Sequence, residues 1–217
     1  MKGERQRGVL VAIEGIDGTG KSTLLNGLAR VLRSRGWSVG RWKEPSNSVL
    51  GKAARGYGGK DPGQAALLFT LDRGGEWANL EALRRGHDVV LSDRSYFSTL
   101  AYQGSALKPR ERRTLELLQR SVAHVPDLVL WLQLDARVAL ERVGQRGAAR
   151  SRWERLEVLA RTARAYGGYA RREPRRFVRL DARLPPAEVR AAALAAVERR
   201  LGPRSKAGAA RSRRATF

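Results

Sequence analysis

The sequence predicts an α/β domain in three layers, with helices on both faces of a five-stranded parallel sheet. Two observations carry that expectation. Five short apolar runs alternate with amphipathic helical stretches along almost the whole chain. The first of these runs leads directly into Gly15-Ile16-Asp17-Gly18-Thr19-Gly20-Lys21-Ser22, which fits G-x-x-x-x-G-K-[ST], and a helix follows with Leu24, Leu25, Leu28, Val31 and Leu32 on one face. A length of 217 residues suits one such domain with a real core.

Taken in order, residues 8–15 read as the first strand, and the helix after the loop runs to about Arg35. Gly36 stops it, as a left-handed C-terminal cap does. Residues 37–42 are a second strand, ended by Glu44-Pro45 because proline biases Glu44 away from helix. Ser46-Asn47-Ser48 is a polar turn suited to capping a short helix from Val49 to Arg55. A glycine-rich loop over 56–63 includes Asp61-Pro62, which reads as an N-cap followed by proline at the first helical position. One long helix is expected from there to Arg85, with Gly74-Gly75 inside it at a cost of about 1 kcal/mol per glycine. Residues 89–93 form the third strand, helices follow at 96–103 and 109–122, and 128–134 is the fourth strand. Helix 137–145, a basic loop at 146–152, helix 153–172, a fifth strand at 177–181 and helix 186–200 complete residues 1–201 as one domain. The tail, 202–217, is rich in Gly, Ser, Ala and Arg, lacks apolar periodicity and reads as disordered.

The first loop explains its own composition. Glycines let the backbone turn so that N–H groups point inward at anionic oxygens, and the following helix adds its positive end. Lys21 reaches the β- and γ-phosphates of a nucleoside triphosphate, and the Ser22 hydroxyl ligates Mg²⁺. Gly15, Ile16, Asp17, Gly18, Thr19, Gly20, Lys21, Ser22 and Thr23 are therefore the expected ATP- or GTP-binding residues. Asp93 closes a buried apolar strand, where a Mg²⁺-linked acid belongs, and Arg94 beside it can clamp a phosphate. Phe69 and Arg73 share a helix face, one able to stack on a base and the other to hold a phosphate. Arg142, Arg146, Arg150 and Arg152 bracket the short basic loop, from which arginines could close over a transferring phosphoryl group as a lid.

Composition sets further bounds. There is no cysteine, so disulfides and thiolate metal sites are excluded, and the two histidines have no ligand spacing. No apolar run is long enough for a membrane helix. Cleavage of a leader at the first apolar run would remove the first strand, so a cytosolic chain is expected. The net charge of +22 invites a nucleic-acid reading, but basic and aromatic residues do not interleave as base stacking requires. Sites for two phosphorylated ligands also need cations, so nucleic acid is not the expected partner.

Several segments together resemble the thymidylate kinase family: residues 14–23, Leu68-Phe69-Thr70-Leu71-Asp72-Arg73, Asp93-Arg94 with 98–104, and Pro126-Asp127-Leu128 with Leu134-Asp135. The resemblance implies the fold of P-loop nucleoside monophosphate kinases and transfer of the γ-phosphate of ATP to dTMP with Mg²⁺, giving dTDP and ADP. By the same resemblance Asp17 contacts the acceptor's 3′-hydroxyl, Phe69 stacks on its base, and Arg73 lies beside its base and phosphate. Arg55 is a further phosphate arginine, and Glu44 stands in a segment near the acceptor. Thr99 and Gln103 contact the base, and Tyr102 lies under the sugar, where it disfavours a 2′-hydroxyl. Lys21, Asp93 and Arg94 carry catalysis together with a lid arginine among Arg146, Arg150 and Arg152, because the phosphate loop has none. A homodimer is implied as well.

Two departures bear on the acceptor. The family usually has Glu-Pro-Gly-Gly-Thr where this chain has Glu44-Pro45-Ser46-Asn47-Ser48, and Asp-Arg-Tyr where Ser95 follows Arg94. The second also resembles the deoxynucleoside kinases. The alternatives are thus another nucleoside monophosphate or a deoxynucleoside as acceptor, and a non-catalytic protein that binds nucleotide or nucleic acid.

Overall fold

The computed structural model describes residues 7–57, 61–145 and 155–203. Among them a single parallel sheet has strands β1 (Val9–Glu14), β2 (Val39–Lys43), β3 (Val89–Asp93), β4 (Leu128–Gln133) and β5 (Phe177–Asp181), in the order β2-β3-β1-β4-β5. The helices are α1 (Lys21–Ser34), α2 (Val49–Gly56), α3 (Pro62–Gly75), α4 (Trp77–Gly86), α5 (Tyr96–Tyr102), α6 (Pro109–Val122), α7 (Ala136–Gly144), α8 (Leu156–Arg172) and α9 (Pro186–Leu201).

Alternating strands and helices produce this sheet because parallel neighbours need crossover connections, and the helices in those crossovers cover both faces. Leu10, Val11, Ala12 and Ile13 in β1, and Val89, Val90 and Leu91 in β3, are all buried, as strands covered on two sides must be. The core continues through Leu28 and Leu32 of α1, Phe97 of α5 and Leu130 of β4. β1 is central, with β3 on one side and β4 on the other. The carboxyl ends of these strands therefore form a crevice at a switch point, which is where ligands bind in open α/β sheets. The phosphate loop leaves β1 at that place.

Local signals in the sequence are realised as caps. Gly36 has φ 80°, its N–H bonds Arg33 O at 2.8 Å, and Trp37 N–H bonds Leu32 O at 3.0 Å, which closes α1 with a left-handed turn. Ser48 and Asp61 accept backbone N–H groups at the starts of α2 and α3.

The expected single helix from Pro62 to Arg85 is in fact two. It breaks at Glu76 (φ −95°, ψ 4°), directly after Gly74-Gly75. Two adjacent glycines weaken the helix enough for the chain to turn, and the next segment packs its own way. Trp77, the first residue of α4, stacks on His124 with ring centroids 3.7 Å apart, and accepts the ring's Nε2 on its carbonyl at 3.0 Å. The basic loop 146–152 and tail residues 204–217 lie outside the described residues. Among the described residues no helix is long and apolar enough to cross a membrane.

Candidate active site

The phosphate loop is shaped by positions only glycine can hold. Gly15 and Gly18 have φ 144° and 90°. A Cβ on Gly18 would sit 2.2 Å from Ala139 O in α7, and one on Gly15 2.7 Å from Leu132 O in β4. Within this turn the Lys21 ammonium is buried and donates to Gly15 O and Ile16 O, both at 3.0 Å, with Asp17 Oδ1 at 3.4 Å. Burial, followed by the nearby Arg94 charge, pushes its pKa down to about 8 against the pull of Asp17, Asp93 and Glu14.

β3 delivers the next groups. Asp93 pairs with Ile13 across the sheet, and its buried Oδ1 has no hydrogen-bond partner among the described residues. Ser22 and Asp93 line one cavity of about 460 Å³, together with Arg41, Lys43 and Asn47. An orphaned carboxylate oxygen and a hydroxyl on the same cavity fit a hard, oxygen-seeking cation. No group of three or more His, Cys, Asp or Glu able to hold a metal occurs among the described residues. Mg²⁺ is bound through few carboxylates and takes its other ligands from water and phosphates.

Arg94 follows at φ 77°, which among the described residues no other non-glycine residue shares in sign. Such a conformation costs about 1–3 kcal/mol and persists only where the surroundings fix it. The Arg94 guanidinium bonds the Asp17 carboxylate, donates to Ser98 Oγ at 3.2 Å and lies over the Tyr102 ring at 5.3 Å. Tyr102 in turn donates its hydroxyl to Asp17 Oδ2 at 3.2 Å and accepts Asp17 N–H at 3.0 Å. Burial alone would raise the Asp17 pKa, but Arg94 and then Lys21 outweigh it and hold the carboxyl well below the usual range. The Tyr102 hydroxyl is pushed up, by burial first and by the Asp17 charge second.

Beside this cluster lies a second cavity, of about 250 Å³. All nine residues expected to contact an acceptor line it: Asp17 and Arg94 at the loop, Glu44 and Arg55 after β2, Phe69 and Arg73 from α3, and Thr99, Tyr102 and Gln103 from α5 and its end. Arg73 is buried and its fork is heavily used. It binds Glu44 Oε2 through Nε at 2.8 Å and through a terminal nitrogen at 2.7 Å, Gln119 Oε1 at 2.5 Å and Thr99 Oγ1 at 3.2 Å. Burial raises the Glu44 pKa, and Arg73 offsets only part of that rise. Arg55 donates to Pro45 O at 2.9 Å and Ser46 O at 2.6 Å.

Both departures from the family pattern have structural accounts. Asp72 accepts from Ser46 N–H (2.8 Å), Ser46 Oγ (2.6 Å) and Ser48 Oγ (2.8 Å), so the polar turn is tied to α3. Ser95 caps α5 and sends both its N–H and its hydroxyl to Glu14 Oε1 at 2.7 Å. Tyr96 is then directed into the core, where it stacks on Phe97 at 4.3 Å. On the other side of the loop a crevice of about 190 Å³ is bounded by Thr19, Gly20, Arg142 and the chain after β5. Arg142, grouped by sequence with the basic loop, is instead anchored at 3.0 Å to Ala182 O. Arg146, Arg150 and Arg152 lie outside the described residues.

The family model described as thymidylate kinase matches residues 13–193. The chain belongs to the thymidylate kinase family. A thymidylate kinase of Desulfovibrio desulfuricans is 35% identical over 216 residues, covering 91% of this chain and 99% of that protein. One of Leifsonia xyli is 38% identical over 198 residues, covering 85% and 91%. A protein of Methanosarcina acetivorans named "Probable thymidylate kinase" is 36% identical over 191 residues, covering 84% and 92%.

Three residues around this candidate site were given no role from the sequence of this thymidylate kinase family member. Glu14, Asp72 and Gln119 are all buried, and each organises residues that line the cavities. A carboxylate ending a strand and an acid preceding Arg73 were legible signals; a glutamine inside a basic amphipathic helix was not.

The state of Lys21 gives a pH prediction. In the free protein Lys21 deprotonates as pH rises through about 8, so kcat/KM for Mg·ATP falls above that value. Bound phosphates stabilise the ammonium, so kcat itself holds to higher pH. Initial rates at limiting and saturating ATP from pH 6.5 to 9.5 check this; parallel profiles for the two quantities contradict it.

Proposed function

We infer that the protein transfers the γ-phosphate of ATP to dTMP, giving dTDP and ADP. The observation that carries this reading is the charge of the 250 Å³ cavity beside the phosphate loop. Lys43, Arg55, Arg73 and Arg94 line it against the carboxylates of Asp17 and Glu44. The excess of positive charge matches a nucleoside monophosphate, and a neutral nucleoside has nothing to match it. A monophosphate is also largely ionised at neutral pH (second pKa about 6), so its oxygen attacks without a general base. Family membership supports dTMP as the acceptor.

The residues divide the work. Backbone N–H groups of residues 15–22, the start of α1 and Lys21 hold the donor phosphates, and Lys21 exchanges its loop carbonyls for phosphate oxygens. Phe69 offers its face to the acceptor's base, and Arg73, Thr99 and Gln103 meet that base's edges. Tyr102 lies beneath the sugar, whose 3′-hydroxyl Asp17 accepts. Arg55 and Arg94 hold the acceptor phosphate, and Arg94, beside Lys21, stabilises charge on the group in transit. Ser22 and Asp93 would hold Mg²⁺, which when bound neutralises phosphate charge and helps align the donor. Catalysis is then positioning and electrostatics, with no covalent work asked of the protein.

A homodimer belongs to the same reading. Val49 and Leu50 of α2, Leu67 and Leu71 of α3 and Leu117 of α6 are large, apolar and exposed, and α3 packs on both α2 and α6. Such a patch marks an interaction surface. Leu71→Arg is expected to halve the mass seen by light scattering; a wild type that is already monomeric removes the dimer. For the reaction, ADP release is measured with Mg·ATP against a panel of nucleoside monophosphates and nucleosides. Turnover of dTMP is expected, and turnover of nucleosides alone sinks the reading.

A further inference from the structure

Glu14 is the last residue of β1 and is completely buried. Four donors converge on its carboxylate, each at 2.7 Å: Ser95 N–H and Ser95 Oγ on Oε1, and Ser98 Oγ and the Tyr166 hydroxyl on Oε2. A buried carboxylate is tolerated only when so saturated. The donors come from the cap of α5, from its first turn and from the middle of α8, so one side chain ties three parts of the molecule together.

What those parts share is Arg94. Its N–H is held by Ile13 O at 3.1 Å, and the next residue's N–H by Glu14 at 2.7 Å. The left-handed backbone of Arg94 is thus pinned on both sides. Ser98 Oγ, which donates to Glu14, also accepts from the Arg94 guanidinium at 3.2 Å and meets the Tyr166 hydroxyl at 3.0 Å. Backbone and side chain of the arginine are each one hydrogen bond removed from the same carboxylate.

We propose that Glu14 is a positioning residue for phosphoryl transfer, setting Arg94 through Ser95 and Ser98, and that Tyr166 makes this setting depend on the seating of α8. The proposal rests on the phosphotransferase reading above for its kinetic consequences. Glu14 does not line the acceptor cavity and touches neither substrate in this account, so it acts only through the arginine.

The test is a double-mutant cycle with Arg94→Lys. Glu14→Gln keeps the side chain's shape but removes its charge and places an amide among donors. It is expected to lower kcat about ten- to a hundredfold, the scale of one charge-assisted hydrogen bond acting in the transition state, with KM for ATP within about threefold. In the Arg94→Lys background the same change should cost less than about threefold. Tyr166→Phe should act in the same direction, more weakly, and also lose its effect in that background. Should Glu14→Gln fail to fold, Ser98→Ala cuts the link to the guanidinium while leaving Glu14 three donors, and it should reproduce the kcat loss. Equal losses in both backgrounds, or an unchanged kcat, overturn the proposal. A wild type inactive on dTMP would sink the functional reading instead. The Arg94 Nε–H resonance then decides separately, since it should shift in Glu14→Gln and an unmoved signal again overturns the proposal.

Discussion

Lys21→Ala is expected to lower kcat by at least about 10³-fold while the protein stays folded, because one preorganised cation at the transferring phosphoryl group contributes on that scale. In the proposed mechanism the lysine serves the ligand rather than stability. Its ammonium is buried against two loop carbonyls, and burial lowers its pKa to about 8 from 10.5. Between those two values the unfolded chain binds more protons than the folded one, so this group makes wild-type stability rise with pH across that window. The alanine variant lacks that rise. Between pH 7.5 and 9.5, urea midpoints should therefore show wild type gaining stability relative to the variant as pH rises. A variant that loses stability equally at both would mean that Lys21 is a structural residue.

Arg73→Met is expected to destabilise by about 3–5 kcal/mol at neutral pH, the cost of leaving a buried partner charge behind. The variant strips the largely buried Glu44 of its cation and the fully buried Gln119 of its donor. Glu44 already has a raised pKa, through burial first, and without Arg73 it rises further. The folded state then binds the proton that the unfolded state releases, so the variant's stability falls as pH rises. The loss should be clearly smaller at pH 5.5 than at pH 7.5 in urea titrations. The same loss at both values would contradict the pairing, and KM for dTMP should rise whichever way the stability data fall.

These two residues also mark what was legible in the sequence. The phosphate loop fixes its backbone through glycine and offers its chemistry through Lys21 and Ser22, so a motif of eight residues carried the fold and the proposed donor site. Phe69 and Arg73 share a helix face, so their meeting at one cavity could be read from spacing. Gln119 could not be read that way, because its partner Arg73 lies 46 residues away and only the packing of α6 on α3 joins them. The break at Glu76 was hidden for a related reason. Two glycines lower helix propensity without choosing between a strained helix and a turn, and the packing of Trp77 on His124 accompanies the turn. Ser46, Ser48 and Ser95 looked like threats to acceptor identity. The structure gives each of them a carboxylate partner, Asp72 or Glu14, so they serve as anchors.

The cavity between Asp17 and Arg73 is the proposed place where a nucleoside monophosphate accepts phosphate. The most direct measurement supplies wild-type protein with Mg²⁺, ATP labelled at the γ-phosphate, and equal amounts of dTMP and thymidine, then separates the products. Label in the β-phosphate of dTDP, abolished by Lys21→Ala, is the predicted result. Label appearing only as new dTMP from thymidine, with no dTDP formed, would contradict it.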